Sequence, residues 1–332
     1  MKSGKLDSRL LEEMVFKNIR YRRPDVLTRP GVGEDCAVVD YGAYECVLST
    51  DPITGAARDI GRLAVHISCN DIAANGVEPL GILLAVMLPE GTDIEDVDEI
   101  MRQAGEVSEA LGVEIIGGHT EITAAVNKPV IVSTAVGKAL KGASQQARDM
   151  EPGDYILMTK KAGIEGTGII ACDCKEKLRG LLTEEELAEA EAMLEQVSVV
   201  REGVIAGGVG TAGMHDITEG GILGAVWEMC EIAGTGALVW EDSIPVAPVT
   251  EKICRHFGVN WLRLISSGSM LIMAKPDKKD AIMEEIAAAG IEIACIGRVL
   301  PLSEGRTLES VRGRETIEPP GSDEIYKVLF PS

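Results

Sequence analysis

The 332-residue sequence predicts a two-domain protein that mixes helices and strands, in the α+β or α/β class. Its length exceeds what one small core needs, and hydrophobic residues make up 45% of it. Helix-like and strand-like segments occur in both halves, which argues against a helical bundle or a β-sandwich. A polar stretch at 139–152, ending at a Pro-Gly pair, separates the halves. We therefore expect domains at 1–148 and 149–332.

Hydrophobic periodicity predicts the elements of the first half. An amphipathic helix is expected from Leu6 to about Ile19, and a more apolar helix over Leu63–Asn75. Short apolar runs bounded by turn residues predict strands. The expected strands are Cys36–Val39, Glu45–Thr50, Gly81–Leu88, Val113–Ile116 and Pro129–Val136.

Two helices carry the spacing of a capping box, in which a hydroxyl and a carboxylate satisfy exposed backbone donors. The first starts at Thr92 with Glu95 and is expected to end at Gly112. The second starts at Thr183 with Glu186.

The second half is read in the same way. Asp277 is expected to cap its last helix and Gly290 to end it. The expected segments are strand Tyr155–Thr159, the helix from Thr183, helix Ile222–Ile232, strand Ala237–Trp240, helix Val249–Phe257, strand Ser269–Ala274, helix Lys278–Ala289 and strand Ile291–Val299.

Charge restricts the classes of ligand. The chain has 53 acidic and 32 basic residues, a formal net charge of −21, which argues against nucleic-acid binding and against adhesion to an anionic membrane. An anionic substrate would need a cation between itself and the carboxylates. The sequence contains no apolar stretch of membrane-spanning length and no signal-peptide pattern, so we expect a cytoplasmic protein. Its eight cysteines show no zinc-ligand spacing, and we expect reduced thiols.

Acidic residues stand where carboxylates do not help folding. Glu34 and Asp35 lie between a glycine-rich loop and a strand, and Asp51 lies at the expected end of the next strand. Asp71 falls on an apolar stripe of the helix Leu63–Asn75, where its burial is costly unless it meets a cation or several donors. A rotated helix that exposes Asp71 to water is the structural alternative. Three carboxylates at one point would suit Mg²⁺, a hard ion that shares oxygen ligands with phosphates.

Glycine-rich segments offer backbone amides to an anion. Gly117 and Gly118 are expected to form a turn that could approach a phosphate, with the Thr120 hydroxyl nearby; an ordinary tight turn is the alternative. In the second half, 215–221 contains Asp216 and two glycines ahead of a helix, which suits an anion site or a simple helix cap. The segment 163–168 is expected to be a further loop. A Gly-x-Gly-x-x-Gly match at 208–213 follows a helix, so we reject a dinucleotide site there.

Taken in order, these segments resemble the PurM-like ATP-binding superfamily, which includes aminoimidazole ribonucleotide (AIR) synthase, thiamine-monophosphate kinase, selenophosphate synthetase and HypE. The matching runs are GVGEDCAVV, LSTDPIT, NDIAANGVEPLG, IIGGHTE, MHDITEGGILGAV, ISSGSMLI and IGRV. They are most similar to HypE and to the AIR-synthase-related proteins. The resemblance implies an N-terminal α+β domain that forms a barrel across a homodimer, a C-terminal α/β domain, and ATP with Mg²⁺ between the domains.

The resemblance also implies roles for individual residues. Asp35, Asp51 and Asp71 match acidic positions that hold Mg²⁺ and the triphosphate. Asn70, Gly117, Gly118 and Thr120 match nearby contacts to the nucleotide, and Asp216 faces the cleft from the second domain. Asp51, Asp71 and Asp216 are the expected catalytic residues. In this family ATP phosphorylates an oxygen of a small-molecule substrate, commonly an amide or carbonyl oxygen, before its displacement.

Several residues of this sequence differ from the family's motifs, and these differences disfavour some of the family's activities. Glu34 stands where an Asp is common, and His119 stands where the kinase branch has Asp. No cysteine precedes Cys36, which disfavours selenophosphate synthesis, and the last cysteine is Cys295, so the C-terminal cysteine of HypE is absent. We expect an ATP-dependent enzyme acting on a separate small molecule. The alternatives are a non-catalytic nucleotide-binding maturation or assembly protein, which would have a protein partner, and an AIR-synthase-type purine enzyme.

Overall fold

The structure is a computed structural model that describes residues 8–54 and 59–329. Its strands form two β-sheets. The first sheet contains β1 (Val26–Thr28), β2 (Ala37–Asp40), β3 (Tyr44–Ile53), β4 (Pro79–Leu88), β5 (Glu114–Ile122) and β6 (Val130–Leu140). The second contains β7 (Tyr155–Thr159), β8 (Met214–Asp216), β9 (Gly236–Trp240), β10 (Met270–Ala274), β11 (Ile293–Leu300), β12 (Arg306–Ser310) and β13 (Gly313–Thr316).

Helices pack on both sheets and complete the two-domain α+β fold that the sequence predicts. They are α1 (Ser8–Leu10), α2 (Ile60–Ala74), α3 (Ile94–Leu111), α4 (Ile164–Asp173), α5 (Lys175–Leu178), α6 (Glu184–Ala192), α7 (Val200–Val209), α8 (Gly221–Ala233), α9 (Pro248–Phe257), α10 (Lys279–Ala288) and α11 (Ile325–Leu329). Within the described part of the chain, none of them combines the length and apolar character that crossing a bilayer requires.

The first sheet has the order β1-β2-β3-β6-β4-β5 and is antiparallel except between β4 and β5, which α3 connects. Successive side chains of each strand point to opposite faces of this sheet. In β4, Ile82, Leu84 and Val86 are buried in one core cluster with residues of α2 and α3, whereas Leu83 points the other way and is 38% exposed. The face that carries Leu83 is thus apolar and lacks a covering layer within the described chain.

The second sheet has the order β13-β12-β9-β11-β7-β10-β8, so β8 lies at an edge. Central strands β7 and β10 are almost entirely apolar and buried, as expected for strands covered on both faces. β8 pairs with β10 in a register that places Asp216 opposite Met270. This edge position brings the Asp216 carboxylate to the border of the second domain.

Helix α2 connects the two domains. Its residues are almost all buried because it packs on the first sheet, on α3 and on α7 of the second domain. Gly203 and Gly207 of α7 permit the close approach: a Cβ at Gly207 would lie 2.5 Å from the Cα of Gly76, and one at Gly203 would lie 2.5 Å from the carbonyl oxygen of Ala73. The backbones of the two domains therefore touch without intervening side chains.

Several expected details of the first domain are wrong. The helix expected at Leu6–Ile19 is a short α-helix at 8–10 followed by a π-turn and a 3₁₀ turn that end at Asn18, while Leu6 lies outside the described residues. Thr92 does not form a capping box: its hydroxyl donates to the carbonyl oxygen of Pro89 at 2.8 Å, and α3 starts after Asp93 without a side-chain cap. The Gly112 end of α3 is confirmed, with φ at 70°.

In the second domain, the Thr183–Glu186 capping box is confirmed, with both reciprocal hydrogen bonds formed. Asp277 does not cap α10, the helix expected to be the last, because α10 starts after Lys278 and has no side-chain cap. A further helix, α11, follows it. The segment 163–168, expected to be a loop, instead begins α4, and Gly163 at φ 72° precedes its first turn.

Candidate functional site

Four aspartates from separate segments converge where the first sheet meets β8. Asp71 of α2 is buried, and the negative charges of Asp216, Asp35 and Asp51 all act on it. The helical stripe that predicts an inward-facing Asp71 is therefore correct, and the alternative in which it reaches water is not observed. Asp71 lies on an almost fully buried helix and is only 3% exposed.

Burial first, then these like charges, raise the pKa of Asp71 well above its usual value. A hydrogen bond with Asp51 adds to the rise, and Ser49 donates its hydroxyl to Asp71 Oδ2. Asp51 lies within β3, two residues before its end, whereas the sequence places it after the strand.

His215 is the residue of this site that sequence reasoning missed. Its Nδ1 lies 3.1 Å from Asp35 Oδ2 and 3.8 Å from Asp216 Oδ1, while its Nε2 lies 3.2 Å from Glu228 Oε2 of α8. Burial lowers the pKa of His215, but the three carboxylates together outweigh it and hold that pKa well above the usual value. His215 is the middle residue of β8, and only its place next to Asp216 signals its role in the sequence.

The donor atoms fit a divalent cation. Ligand atoms of Asp35, His215 and Asp216 lie within 4.8 Å of one another. Both carboxylate oxygens of Asp216 are buried, and neither has a hydrogen-bond partner among the described residues. Buried carboxylates are costly without a positive group nearby, and the His215 ring, 3.8 Å from Asp216 Oδ1, is the basic group beside them. A bound cation would lower this cost further. Carboxylate oxygens are the ligands that Mg²⁺ prefers.

A cleft of about 280 Å³ opens beside the cluster and gives a ligand access to it. Glu34, Asp35, Ser49 and Thr134 are among its lining residues. Glu34 forms an ion pair with Arg148, whose Nη2 lies 3.5 Å from Glu34 Oε1. Burial raises the pKa of Glu34, while Arg148 and His215 lower it. Arg148 thus places a positive charge at the edge of an otherwise acidic site.

The side-chain amide of Asn70 in the first domain forms hydrogen bonds to the second domain through both its nitrogen and its oxygen. Its Nδ2 donates to the carbonyl oxygen of Val197 at 2.8 Å, and its Oδ1 accepts from the backbone N–H of Val199 at 2.8 Å. The side chain is fully buried. These two hydrogen bonds account for its polar atoms, and they join α2 to the segment that leads into α7.

The Gly117–Gly118 segment is part of a strand, so the expected turn is wrong. Both glycines belong to β5, which lies at the opposite edge of the sheet from β1 and β2. Gly118 has φ 146°, and a Cβ on it would overlap the carbonyl oxygen of Leu84. The register shifts by one residue at this point, so the glycines are needed for a β-bulge.

Thr120 and His119 are exposed on the same edge strand, and His119 Nε2 lies 3.4 Å from Glu121 Oε2. Within one chain, two strands separate β5 from β3, which carries Asp51. The structure therefore unites Asp35, Asp51, Asp71 and Asp216, and it does not bring Gly117, Gly118 or Thr120 to them in the single chain.

Two family models match this architecture. The N-terminal domain of AIR synthase related proteins matches residues 33–139, and the C-terminal domain of the same proteins matches residues 151–307. The chain belongs to the AIR-synthase-related, PurM-like family. One relative is MJ0676 of Methanocaldococcus jannaschii, named as a putative hydrogenase expression/formation protein. It is 27% identical over 98% of this chain and 97% of its own length.

Other family members extend the comparison. The carbamoyl dehydratase HypE of Rhizobium leguminosarum bv. viciae is 28% identical over 81% of this chain and 77% of its own length. Among solved structures, HypE in a HypE–HypF complex superimposes with a TM-score of 0.76 at 22% identity, covering 93% of this chain and 99% of that one. HypE in complex with ATP gives 0.74 at 21% identity, covering 97% of each. These structures establish the PurM-like fold.

Proposed function

We propose that this protein is a Mg²⁺-dependent ATP-binding enzyme that activates an oxygen of a small substrate by phosphorylating it. The observation that carries the proposal is the convergence of Asp35, Asp51, Asp71 and Asp216 beside a cleft that Asp35 lines. Both buried carboxylate oxygens of Asp216 lack a hydrogen-bond partner among the described residues. Relatives named carbamoyl dehydratase, and a structural neighbour that contains ATP, support an ATP-using enzyme.

Mg²⁺ would be held by the carboxylates of Asp35, Asp51 and Asp71, with Asp216 approaching from the second domain. When bound, the ion would neutralise the negative charge of the triphosphate and of the phosphoryl group in transfer. The chain's own contribution is to fix these carboxylates in place. Ser49 orients Asp71, and the His215–Glu228 pair orients Asp35 and Asp216. Arg148 could offer its guanidinium to phosphate at the edge of the site.

Substitution of the buried aspartates tests the site. We expect Asp71→Asn and Asp51→Asn to weaken Mg·ATP binding by more than roughly tenfold, because each removes a negative charge from the proposed ligand set. Asp98→Asn is the matched control, since Asp98 is exposed on α3, away from the cleft. Isothermal titration calorimetry measures the affinity and circular dichroism checks the fold. Unchanged affinity in both site variants would remove the basis of the assignment.

Turnover separates the enzyme from a second candidate, a non-catalytic nucleotide-binding maturation or assembly protein. The names of the hydrogenase expression/formation relatives and the HypE–HypF complex favour such a partner-binding role. An enzyme releases ADP continuously, and faster when the correct acceptor is added. A binding protein holds ATP without turnover and is recovered with a protein partner. Sustained ADP release from the purified protein would exclude the second candidate.

The assembly that we propose is a homodimer in which the open apolar face of the first sheet is covered by a second copy. The exposed Leu83 and Ile116 on strands β4 and β5 support it. A dimer formed through this sheet would also offer Gly117, Gly118 and Thr120 to the partner subunit's cleft. We also propose that the boundary between the two domains lies at 148/149. We further propose that the protein is cytoplasmic.

A further inference from the structure

Three side chains able to bind a metal meet where the two domains face each other. His215 Nδ1 lies 3.1 Å from Asp35 Oδ2 and 3.8 Å from Asp216 Oδ1, and ligand atoms of all three residues lie within 4.8 Å of one another. In a tetrahedral site with metal–ligand bonds of roughly 2.0–2.2 Å, neighbouring ligand atoms are roughly 3.3–3.6 Å apart. The two distances from His215 bracket that spacing, so small side-chain shifts bring the three residues around one ion.

The far side of the His215 ring has the partner that metal-binding histidines use. Its Nε2 lies 3.2 Å from Oε2 of Glu228 on α8, and the His215 residue is 3% exposed. A carboxylate in this position accepts the Nε2 proton, fixes the ring and directs the other nitrogen towards the metal. His215 Nδ1 is the nitrogen that faces Asp35 and Asp216.

The carboxylate of Asp216 is the ligand with the most to gain from an ion. Asp216 is fully buried, and neither of its oxygens has a hydrogen bond within the described part of the chain. His215 Nδ1, at 3.8 Å from Oδ1, is too distant for a hydrogen bond. Asp35, by contrast, lines the cleft, which gives an ion a route to the site.

The contact between the two domains brings Asp35 to His215. Asp35 follows Gly33 in the loop between β1 and β2, and Gly33 has φ 76°. A Cβ on Gly33 would lie 3.0 Å from Ile232 Cδ1 and 3.2 Å from the Cβ of Glu228, both on α8. The loop therefore packs closely on the helix that also supports His215. An ion bound here would join this loop of the first domain to β8 of the second.

The nitrogen donor decides the class of ion. Mg²⁺ prefers a shell made only of oxygen atoms, whereas imidazole suits Zn²⁺ and the other late first-row divalent metals. One imidazole and two carboxylates also leave a fourth tetrahedral position open, as in zinc sites that keep a water or substrate ligand.

We propose that Asp35, His215 and Asp216 form a site for a Zn²⁺-class ion, which shares Asp35 with the proposed Mg²⁺ site. On binding, a bond forms between Nδ1 and the ion, any proton on Nδ1 leaves to solvent, and no electron is transferred. The inference goes beyond the proposed function, because this ion binds in the absence of nucleotide.

Metal titrations of the chelator-treated full chain, without nucleotide, test the site. Titration calorimetry should show Zn²⁺ binding at least about a hundredfold more tightly than Mg²⁺. Co²⁺, a spectroscopic substitute for Zn²⁺, should give the visible absorption of a low-coordinate nitrogen–oxygen site. His215→Gln removes the nitrogen ligand, so it should weaken Zn²⁺ binding more than roughly tenfold and change the Co²⁺ spectrum.

His256→Gln is the matched control, because it makes the same change at an exposed residue of α9. Asp35→Asn, at the most accessible ligand, is the second variant if His215→Gln does not fold, and it should also weaken Zn²⁺ binding. Equal affinity for Zn²⁺ and Mg²⁺, a thiolate charge-transfer band with Co²⁺, or a Co²⁺ spectrum that His215→Gln leaves unchanged overturns the inference. Failure of wild-type protein to bind Mg·ATP is a separate result, which contradicts the proposed function and not this site.

Discussion

At the scale of single residues, the chain buries more carboxyl groups than folding requires. Asp71, Asp216 and Glu165 are each less than a tenth exposed. Burial of a carboxyl without a compensating partner is unfavourable, and mutations that remove such a group without leaving a cavity can stabilise a protein. The burial of Asp71 and Asp216 in one cluster fits a binding site that the protein maintains at a cost in stability.

Glu165 makes that cost measurable. Burial first, and then the charges of Asp323 and Glu219, raise its pKa from 4.5 to about 7. Because the folded protein holds this proton more tightly than the unfolded chain, stability contributed at this residue falls as pH rises from about 4.5 to about 7. Glu165→Gln cannot titrate. Between pH 4 and pH 8, the variant should therefore gain about 3 kcal/mol in free energy of unfolding relative to wild type.

Urea denaturation at a series of pH values, without added ligand, measures this difference. Asp323, whose pKa is raised to about 6 mainly by burial, titrates in both proteins, so its contribution largely cancels in the comparison. Two curves that run parallel across the whole range would show that Glu165 is not a buried, proton-binding group.

At the scale of elements, the contact between α2 and α7 depends on two glycines. Gly207→Ala should destabilise the protein by about 1–3 kcal/mol, because its Cβ would lie 2.5 Å from the Gly76 backbone and force the domains apart. Gly208→Ala on the same helix is the control. Its Cβ would meet nothing within 4 Å, so the helix should be unchanged or up to about 1 kcal/mol more stable. Thermal denaturation distinguishes the two; equal effects would contradict the close packing.

The same helix explains why its polar residues have different roles. Asn70 and Asp71 are adjacent on α2 and therefore point in different directions around its axis. Asn70 faces the second domain and bonds to the backbone at Val197 and Val199, whereas Asp71 faces Ser49 and the acidic cluster. One helix thus sets both the domain junction and the position of a proposed metal ligand, so movement of one implies movement of the other.

At the scale of the whole molecule, the open face of the first sheet predicts self-association. Leu83→Glu places a charge on that face and should convert a dimer to a monomer. Leu302→Glu is the control, since Leu302 is 59% exposed but belongs to a 3₁₀ turn of the second domain. Sedimentation velocity measures both. A wild-type monomer, or a Leu83→Glu variant that remains dimeric, would contradict the proposed interface.

The fold could be predicted in outline because its signals are local. The apolar runs Gly81–Leu88 and Tyr155–Thr159 and the Thr183–Glu186 cap depend on residues close in sequence, and the structure contains all three features. The failures also have local causes. The Thr92 hydroxyl donates to the carbonyl oxygen of Pro89 instead of accepting a backbone N–H of α3. Gly117–Gly118 is compatible with a turn or with a bulge until its partner strand is known.

The sequence by itself determined the class of fold, the family, and the acidic residue types that a metal–triphosphate site needs. Only the tertiary structure decided which of those residues meet. It placed His215 between Asp35 and Glu228, directed Asn70 to the domain junction, and set Glu165 beside Ser267, about a hundred residues away along the chain. The physical reason is that periodicity reports which face of an element is buried, whereas the contacts across a domain boundary follow from how two separately formed sheets pack on one helix.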